Sequence, residues 1–338
     1  MRPRLLILLA AAVLAACGAE SGQDAQQEVV LYSARHYDSD AQINDAFERE
    51  TGIRVRSIEA DGDLLIERIR ADGARSPADV IMTVDAGRLW RAEEEGLFQP
   101  VQSDILEQRI PANLRHPDGL WFGFSQRARV FVYAKDRVDP AALGGYETLA
   151  DPAWRGRVCV RSSGAIYNVS LLAALIDRWG AERAQEWADG VVANLARVPS
   201  GADLDQIAAV AAGECDIALV NHYYLARMIA SDPSLGEKVG LHWPEANGGV
   251  HVNISGAGIA ANAPHPEAAK QYLEFLASDE AQRLVAETNG EYPVEAGVAY
   301  DNPIVAGFGD FASDPVNVAV LGENQAEAQR IFDRAGWP

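Results

Sequence analysis

Tyrosines follow three separate strand-like runs of this sequence. Tyr223 and Tyr224 come directly after the apolar run IALV and the two polar residues that follow it, Tyr167 follows the run RVCV, and Tyr37 follows EVVLYS. Ligands of open parallel sheets bind beyond the carboxyl ends of the strands. We therefore expect these phenols to face one common site.

The chemistry available to such phenols is the binding of a hard cation. A phenol has a pKa near 10 and becomes a strong oxygen ligand only when it loses its proton. A trivalent cation drives that loss, since bound metals lower the pKa of their ligands. Several phenolates, with the imidazole of His36 beside them, favour ferric iron over calcium, which prefers carboxylates, and over zinc, which prefers thiolates.

Each tyrosine taken singly also has an ordinary structural interpretation. Tyr223 and Tyr224 could be the start of a helix, and Tyr37 or Tyr167 could anchor a core. Their joint occurrence after three strands is what favours metal binding. By contrast, we expect the neighbouring His222 to be a helix cap or a surface residue.

The elements that must position these residues alternate along the first hundred residues. Strand-like runs from EVVLYS to ADVIMTV are separated by amphipathic helical segments, of which DSDAQINDAFERETG has a cap-like Asp38 or Ser39. This alternation predicts an α/β fold with a mostly parallel sheet between helices. Two long runs, LWFGFSQRARVFVYAK and VHVNISGAGIA, are strand-like, and Gly123 in the first predicts a kink.

The chain has 338 residues, which is more than one core usually holds, so we expect two lobes joined by these long strands. Such a protein closes by hinge motion around a ligand in its cleft. The predicted lobes are residues 28–125 with 252–298 and residues 126–251 with 299–338.

The N-terminus has the features of an export signal. Arg2 and Arg4 precede a short apolar run that ends in Leu-Ala-Ala before Cys17. We predict a signal peptide over residues 1–16 and a polar tether over residues 17–27. The Leu-Ala-Ala-Cys sequence resembles the lipobox of bacterial lipoproteins, which implies lipid on Cys17; an ordinary secreted signal is the alternative.

Charge and composition exclude several partners and activities. The formal net charge is -20, which repels nucleic acid and anionic lipid. We expect no nucleic-acid partner and membrane contact only through the lipid anchor. The nucleophile-elbow, zinc-protease and phosphate-loop motifs of enzymes do not occur in the sequence, which favours a binding protein.

Cys159 and Cys215 could form a disulfide in an oxidising compartment or remain two buried thiols.

Five segments together resemble the periplasmic ferric-iron substrate-binding proteins of ABC transporters. They occur in order between about residues 28 and 298: LYSARHYDSD, VCVRSSGAIYNVSL, GECDIALVNHYYLARM, HVNISGAGI and NGEYPV. The resemblance implies a type II periplasmic-binding-protein clamp that holds Fe(III) without a bridging anion and delivers it, as a monomer, to an ABC permease. The resemblance implies no glutamate among the iron ligands. The ligands that it implies are Tyr37, Tyr167, Tyr223 and Tyr224, with His36 as an occasional ligand.

Four phenolates on a trivalent ion leave a net negative charge, and a buried charge needs a partner. Arg227 lies one helical turn after Tyr223, Arg127 lies in a strand that crosses between the lobes, and Arg161 opens the RSS loop. For any one of them, a surface salt bridge is the alternative.

The same clamp could carry a different ligand. Receptors for sulfate, phosphate and polyamines share the two-lobe architecture. The RSSG loop could bind an oxyanion through its hydroxyls and backbone N–H groups. Trp90, Trp121 and Asp85 could instead bind a polyamine through aromatic faces and a carboxylate.

Overall fold

The structure is a computed structural model that describes residues 27–35 and 37–338. The predicted signal peptide, Cys17, the tether up to residue 26, and His36 lie outside the described residues. In the described part, none of the helices has the length and apolar character needed to cross a bilayer.

Strands and helices alternate through the first part of the chain and helices predominate in the last part. The strands are β1 (Glu28–Ser33), β2 (Arg54–Glu59), β3 (Val80–Val84), β4 (Phe122–Ala134), β5 (Val158–Cys159), β6 (Ile217–Asn221), β7 (Val239–His242) and β8 (Val252–Ile259). The helices are α1 (Asp38–Thr51), α2 (Gly62–Asp72), α3 (Ala86–Glu94), α4 (Asp104–Arg109), α5 (Ile166–Trp179), α6 (Ala181–Asn194), α7 (Asp203–Ala212), α8 (His222–Ser231), α9 (Leu235–Lys238), α10 (Pro266–Leu276), α11 (Asp279–Asn289), α12 (Pro303–Ala306), α13 (Val320–Glu323) and α14 (Gln325–Ala335).

The strands are hydrogen-bonded in the order β2-β1-β3-β8-β4-β6-β5, and β7 also pairs with β4. The pairs β1–β2, β1–β3 and β5–β6 are parallel, as the alternation of strands and helices predicts. In contrast, β8 runs antiparallel to both β3 and β4, and β4 runs antiparallel to β6. We call the part around β1, β2 and β3 the first lobe and the part around β5 and β6 the second lobe.

The two long strands connect these lobes. The first half of β4 pairs with β8, and its second half pairs with β6 and β7. Register shifts between Gly123 and Ser125, where the sequence predicts a kink. A Cβ atom at Gly123 would lie 2.8 Å from the carbonyl oxygen of Leu114, so the glycine allows this close approach.

The C-terminal helices connect to both lobes. Helix α13 packs against α3 of the first lobe and α5 of the second, and α14 packs against α5 and α6. Ordinary helix contacts therefore supplement the two crossing strands.

Cys159 and Cys215 form a disulfide, with their Cα atoms 5.9 Å apart. Cys159 ends β5 and Cys215 lies just before β6, so the bond joins neighbouring parallel strands of the second lobe. Of the two possibilities that the sequence leaves open, the structure has the disulfide.

Candidate metal centre

Tyr37 lies between β1 and α1 in the first lobe. It has an extended backbone and is the N-cap of α1, so the expected cap at Asp38 or Ser39 is wrong by one or two positions. The carboxylate of Asp40 accepts a hydrogen bond from the Tyr37 N–H at 3.1 Å, which fixes the start of the helix. Burial, followed by the nearby Glu291 and Tyr167, raises the pKa of Tyr37.

Tyr167 lies in the first turn of α5, in the second lobe. The side-chain amide of its neighbour Asn168 donates to the carbonyl oxygens of Arg161 and Ser162 at 2.9 and 3.2 Å, which shapes the preceding loop. Arg129 of β4 donates to Asn168 Oδ1 at 2.7 Å. The position of Tyr167 is therefore set by a buried polar network and not by the loop alone.

Tyr223 and Tyr224 begin α8 directly after β6, with their ring centroids 4.3 Å apart. Tyr223 is fully buried, and its hydroxyl makes no hydrogen bond of normal geometry, although it lies near enough to the Tyr224 hydroxyl to oppose the rise in the pKa of that phenol. Burial and the nearby Tyr37 and Tyr167 raise its pKa well above 10. Burial and Tyr167 raise the pKa of Tyr224 to about 12. Without a bound cation, Tyr223 and Tyr224 are neutral at pH 7.

The four predicted tyrosines come together from both lobes. Tyr37 and Tyr167 each act on the pKa of Tyr223, so the three phenols are neighbours. The guanidinium carbon of Arg227 lies 5.2 Å from the Tyr37 ring centroid and 5.0 Å from that of Tyr223. A second-lobe arginine thus bridges phenols of opposite lobes, while His36 has no described position.

The other two predicted arginines surround Tyr167. The guanidinium carbons of Arg127 and Arg161 lie 5.3 and 5.6 Å from its ring centroid, and that of Arg129 lies 5.9 Å away. Arg127 is almost completely buried, and its Nε and one terminal nitrogen have no hydrogen-bond partner. Burial opposes its charge, but Tyr167 and Glu291 outweigh this effect and raise the pKa of Arg127.

Sequence reasoning missed Glu291. This residue is fully buried, its Oε2 accepts a hydrogen bond from Ser125 Oγ at 2.5 Å, and its Oε1 has no partner. Its charge raises the pKa of both Tyr37 and Tyr223. The only signal for it was its place in the segment NGEYPV, which carries no information on burial.

His222 is not a cap or a surface residue, and that expectation is wrong. It is fully buried, its Nδ1 accepts a hydrogen bond from the Ala128 N–H, and its Nε2 donates to the Gly290 carbonyl oxygen. Burial lowers its pKa to about 4. His222 therefore holds the start of α8 against β4 as a neutral imidazole.

A polyamine site needs accessible aromatic faces and an accessible carboxylate, and neither Trp121 nor Asp85 is accessible. Trp121 is fully buried and its Nε1 donates to Glu93 at 2.8 Å. Asp85 is also fully buried and accepts hydrogen bonds from Ser170 and Asn253. Within the described residues, no group of three or more histidine, cysteine, aspartate and glutamate side chains could hold a metal. The phenols are thus the candidate ligands.

Proteins similar in sequence to this chain are named for iron uptake and ferric iron binding, which agrees with a site of phenol ligands. The chain is 51% identical to iron uptake protein A1 of Synechocystis over 92% of this chain and 88% of that protein. It is 28% identical to the major ferric iron-binding protein of Neisseria meningitidis, over 97% of both chains.

Solved structures of iron-binding proteins also resemble this chain. A Trichodesmium protein in complex with iron and citrate superimposes with a TM-score of 0.89 at 51% identity, covering 92% of this chain and all of that one. A Campylobacter jejuni ferric binding protein has a TM-score of 0.86 at 38% identity, covering 92% of this chain and all of that one. The predicted two-lobe α/β clamp is thereby confirmed, and the oxyanion and polyamine readings gain no support. The family model described as bacterial extracellular solute-binding protein matches residues 75–308, and this chain belongs to that family.

Proposed function

We propose that this protein captures ferric iron between its two lobes and delivers it to an ABC importer. The proposed ligands are Tyr37 from the first lobe and Tyr167, Tyr223 and Tyr224 from the second, with His36 as a further ligand. The observation that carries this proposal is the convergence of four phenols from both lobes beside three arginines.

The charges of the site favour a trivalent cation. Four phenolates around Fe(III) carry a net charge of about -1, and the guanidinium groups of Arg127, Arg161 and Arg227 lie beside their rings. Since the raised pKa values of Tyr37, Tyr223 and Tyr224 keep these phenols neutral without a bound metal, only a strongly polarising cation displaces their protons. Reduction of the iron or protonation of the phenolates would weaken binding and allow release.

We further propose that the protein acts outside the cytoplasmic membrane. The curated relatives include periplasmic iron-binding proteins, which supports a place outside the cytoplasmic membrane and a role in transport and not in catalysis. We assign residues 1–16 to a signal peptide, Cys17 to lipid attachment and residues 17–27 to a tether. The lobes would comprise residues 28–125 with 252–298 and residues 126–251 with 299–338, in a monomer that docks on a permease.

A ferric titration followed by visible absorption tests the proposed function. The metal-free protein should develop a broad phenolate-to-iron charge-transfer band when ferric citrate is added. The Tyr223→Phe, Tyr224→Phe double variant should lose that band.

The matched control is Tyr146→Phe, which also removes a buried phenol but outside the site. It should keep the band. A wild-type protein that stays colourless and takes up no iron would contradict the proposal.

A further inference from the structure

Asp85 occupies an unusual position between β3 and α3. It is the N-cap of α3 and is fully buried, and its φ is 147°. Positive φ favours glycine, so a side chain at this position is retained only where its surroundings hold it. A strained, buried and polar residue of this kind points to a role that glycine cannot fill.

The carboxylate of Asp85 connects three elements. Its Oδ1 accepts hydrogen bonds from the Gly87 N–H at 2.9 Å and from Ser170 Oγ at 2.7 Å. Its Oδ2 accepts from Asn253 Nδ2 at 2.8 Å. Gly87 belongs to α3, Ser170 to α5 and Asn253 to the crossing strand β8. One carboxylate thus joins the first lobe, the crossing strand and the second lobe.

The bond to Ser170 reaches the helix that carries a proposed iron ligand. Ser170 is fully buried and lies about one turn after Tyr167 on α5. Arg127, whose guanidinium lies over the Tyr167 ring, is 3.9 Å from Asp85 Oδ2. The placement of this phenol relative to the first lobe therefore depends on contacts with Asp85.

We infer that Asp85 is a positioning residue whose hydrogen bond to Ser170 holds the lobes closed with Tyr167 facing Tyr37. The bond slows the release of bound iron and does not touch the metal. This inference rests on the proposed function, because it assumes that iron occupies the site between the lobes. It adds a determinant of how long the cargo stays bound.

Ser170→Ala tests the inference, because it removes the contact between lobes and leaves the other Asp85 bonds intact. Ferric-loaded protein is mixed with excess EDTA, and the decay of the charge-transfer band is followed. One hydrogen bond to a carboxylate corresponds to a release rate about 10-fold to 150-fold faster than that of the wild type. A purely structural role of this bond would lower the melting temperature of the metal-free protein and leave the release rate unchanged.

The matched control is Ser76→Ala. Ser76 is also buried, but its hydroxyl accepts only a local hydrogen bond from the Ala78 N–H at 3.3 Å. This variant should release iron at the wild-type rate.

A second variant, Asp85→Asn, keeps the shape of the side chain and replaces one acceptor oxygen by an amide donor. Because the Gly87 N–H needs an acceptor at Oδ1, that donor takes the place of Oδ2 and faces the amide of Asn253 and the guanidinium of Arg127. The bond to Ser170 is kept but Asp85 is displaced from its position, so release should be faster than in the wild type. Wild-type release rates in both variants, with the band present, would overturn the inference and leave the proposed function standing. Absence of the band in the wild type would refute both.

Discussion

Replacing Tyr223 by phenylalanine should make the metal-free protein more stable while impairing iron binding. The Tyr223 hydroxyl is completely buried and makes no hydrogen bond of normal geometry, although it lies near the Tyr224 hydroxyl, and such a poorly satisfied group costs about 1–3 kcal/mol. Phenylalanine keeps the ring that packs at 4.3 Å from Tyr224 and removes the poorly satisfied hydroxyl. The free energy of unfolding should therefore rise by about 1–3 kcal/mol.

The same substitution at Tyr146 should have the opposite effect. The Tyr146 hydroxyl is also buried, but it donates to the Arg129 carbonyl oxygen at 2.6 Å and accepts from the His251 N–H at 3.0 Å. Tyr146→Phe leaves both partners unsatisfied, so it should lower the free energy of unfolding by about 1–3 kcal/mol and leave the iron band in place.

Differential scanning calorimetry of chelator-treated protein measures both changes. For a chain of 338 residues the unfolding entropy is about 0.7 kcal/mol/K, so the expected shifts are about 1–4 °C, upward for Tyr223→Phe and downward for Tyr146→Phe. The reasoning would be refuted if Tyr223→Phe melted below the wild type, since the hydroxyl would then have a stabilising partner.

Two further predictions concern the second lobe and the strands that join it. Burial, followed by Arg129, lowers the pKa of His251 from 6.5 to about 3, so the unfolded chain binds a proton below pH 6.5 that the folded protein does not. Stability should fall by about 2 kcal/mol from pH 7 to pH 5 on account of His251; urea unfolding should show this slope reduced in His251→Gln, and an equal slope in both proteins would contradict the assignment. The disulfide spans 56 positions, so the Cys159→Ala, Cys215→Ala double variant should lose about 4 kcal/mol in urea unfolding and keep the iron band; a loss of the band would show that the bond also shapes the site.

The positions of the four tyrosines after strands could be read from the sequence. Apolar runs of strand length precede Tyr37, Tyr167 and the pair at 223 and 224, and strand ends that share a sheet edge bring their following residues together. The structure places these phenols beside one another. The alternation of strands and helices also predicted the parallel pairs of the sheet, because that pattern is local.

Residues whose role depends on burial could not be predicted in this way. Glu291 looks like any surface acid in sequence, and only packing against β4 shows that it lies among the phenols. The sequence suggested a cap at His222 because its hydrogen-bond partners, Ala128 and Gly290, are distant along the chain and cannot be identified from the sequence. Asp85 was considered only as a polyamine ligand, since nothing local reveals its positive φ.

The continuity of β4 has a consequence for tolerated sequence change. Arg127 and Arg129 lie two positions apart and project from the same side toward Tyr167, while the strand continues into partners of the other lobe. Deleting the residue between them would shift the register of one half of β4 by one position. Every side chain in that half would then lie on the opposite face of the sheet. Insertions and deletions should therefore be confined to the surface loops, and β4 should tolerate substitutions but neither an insertion nor a deletion.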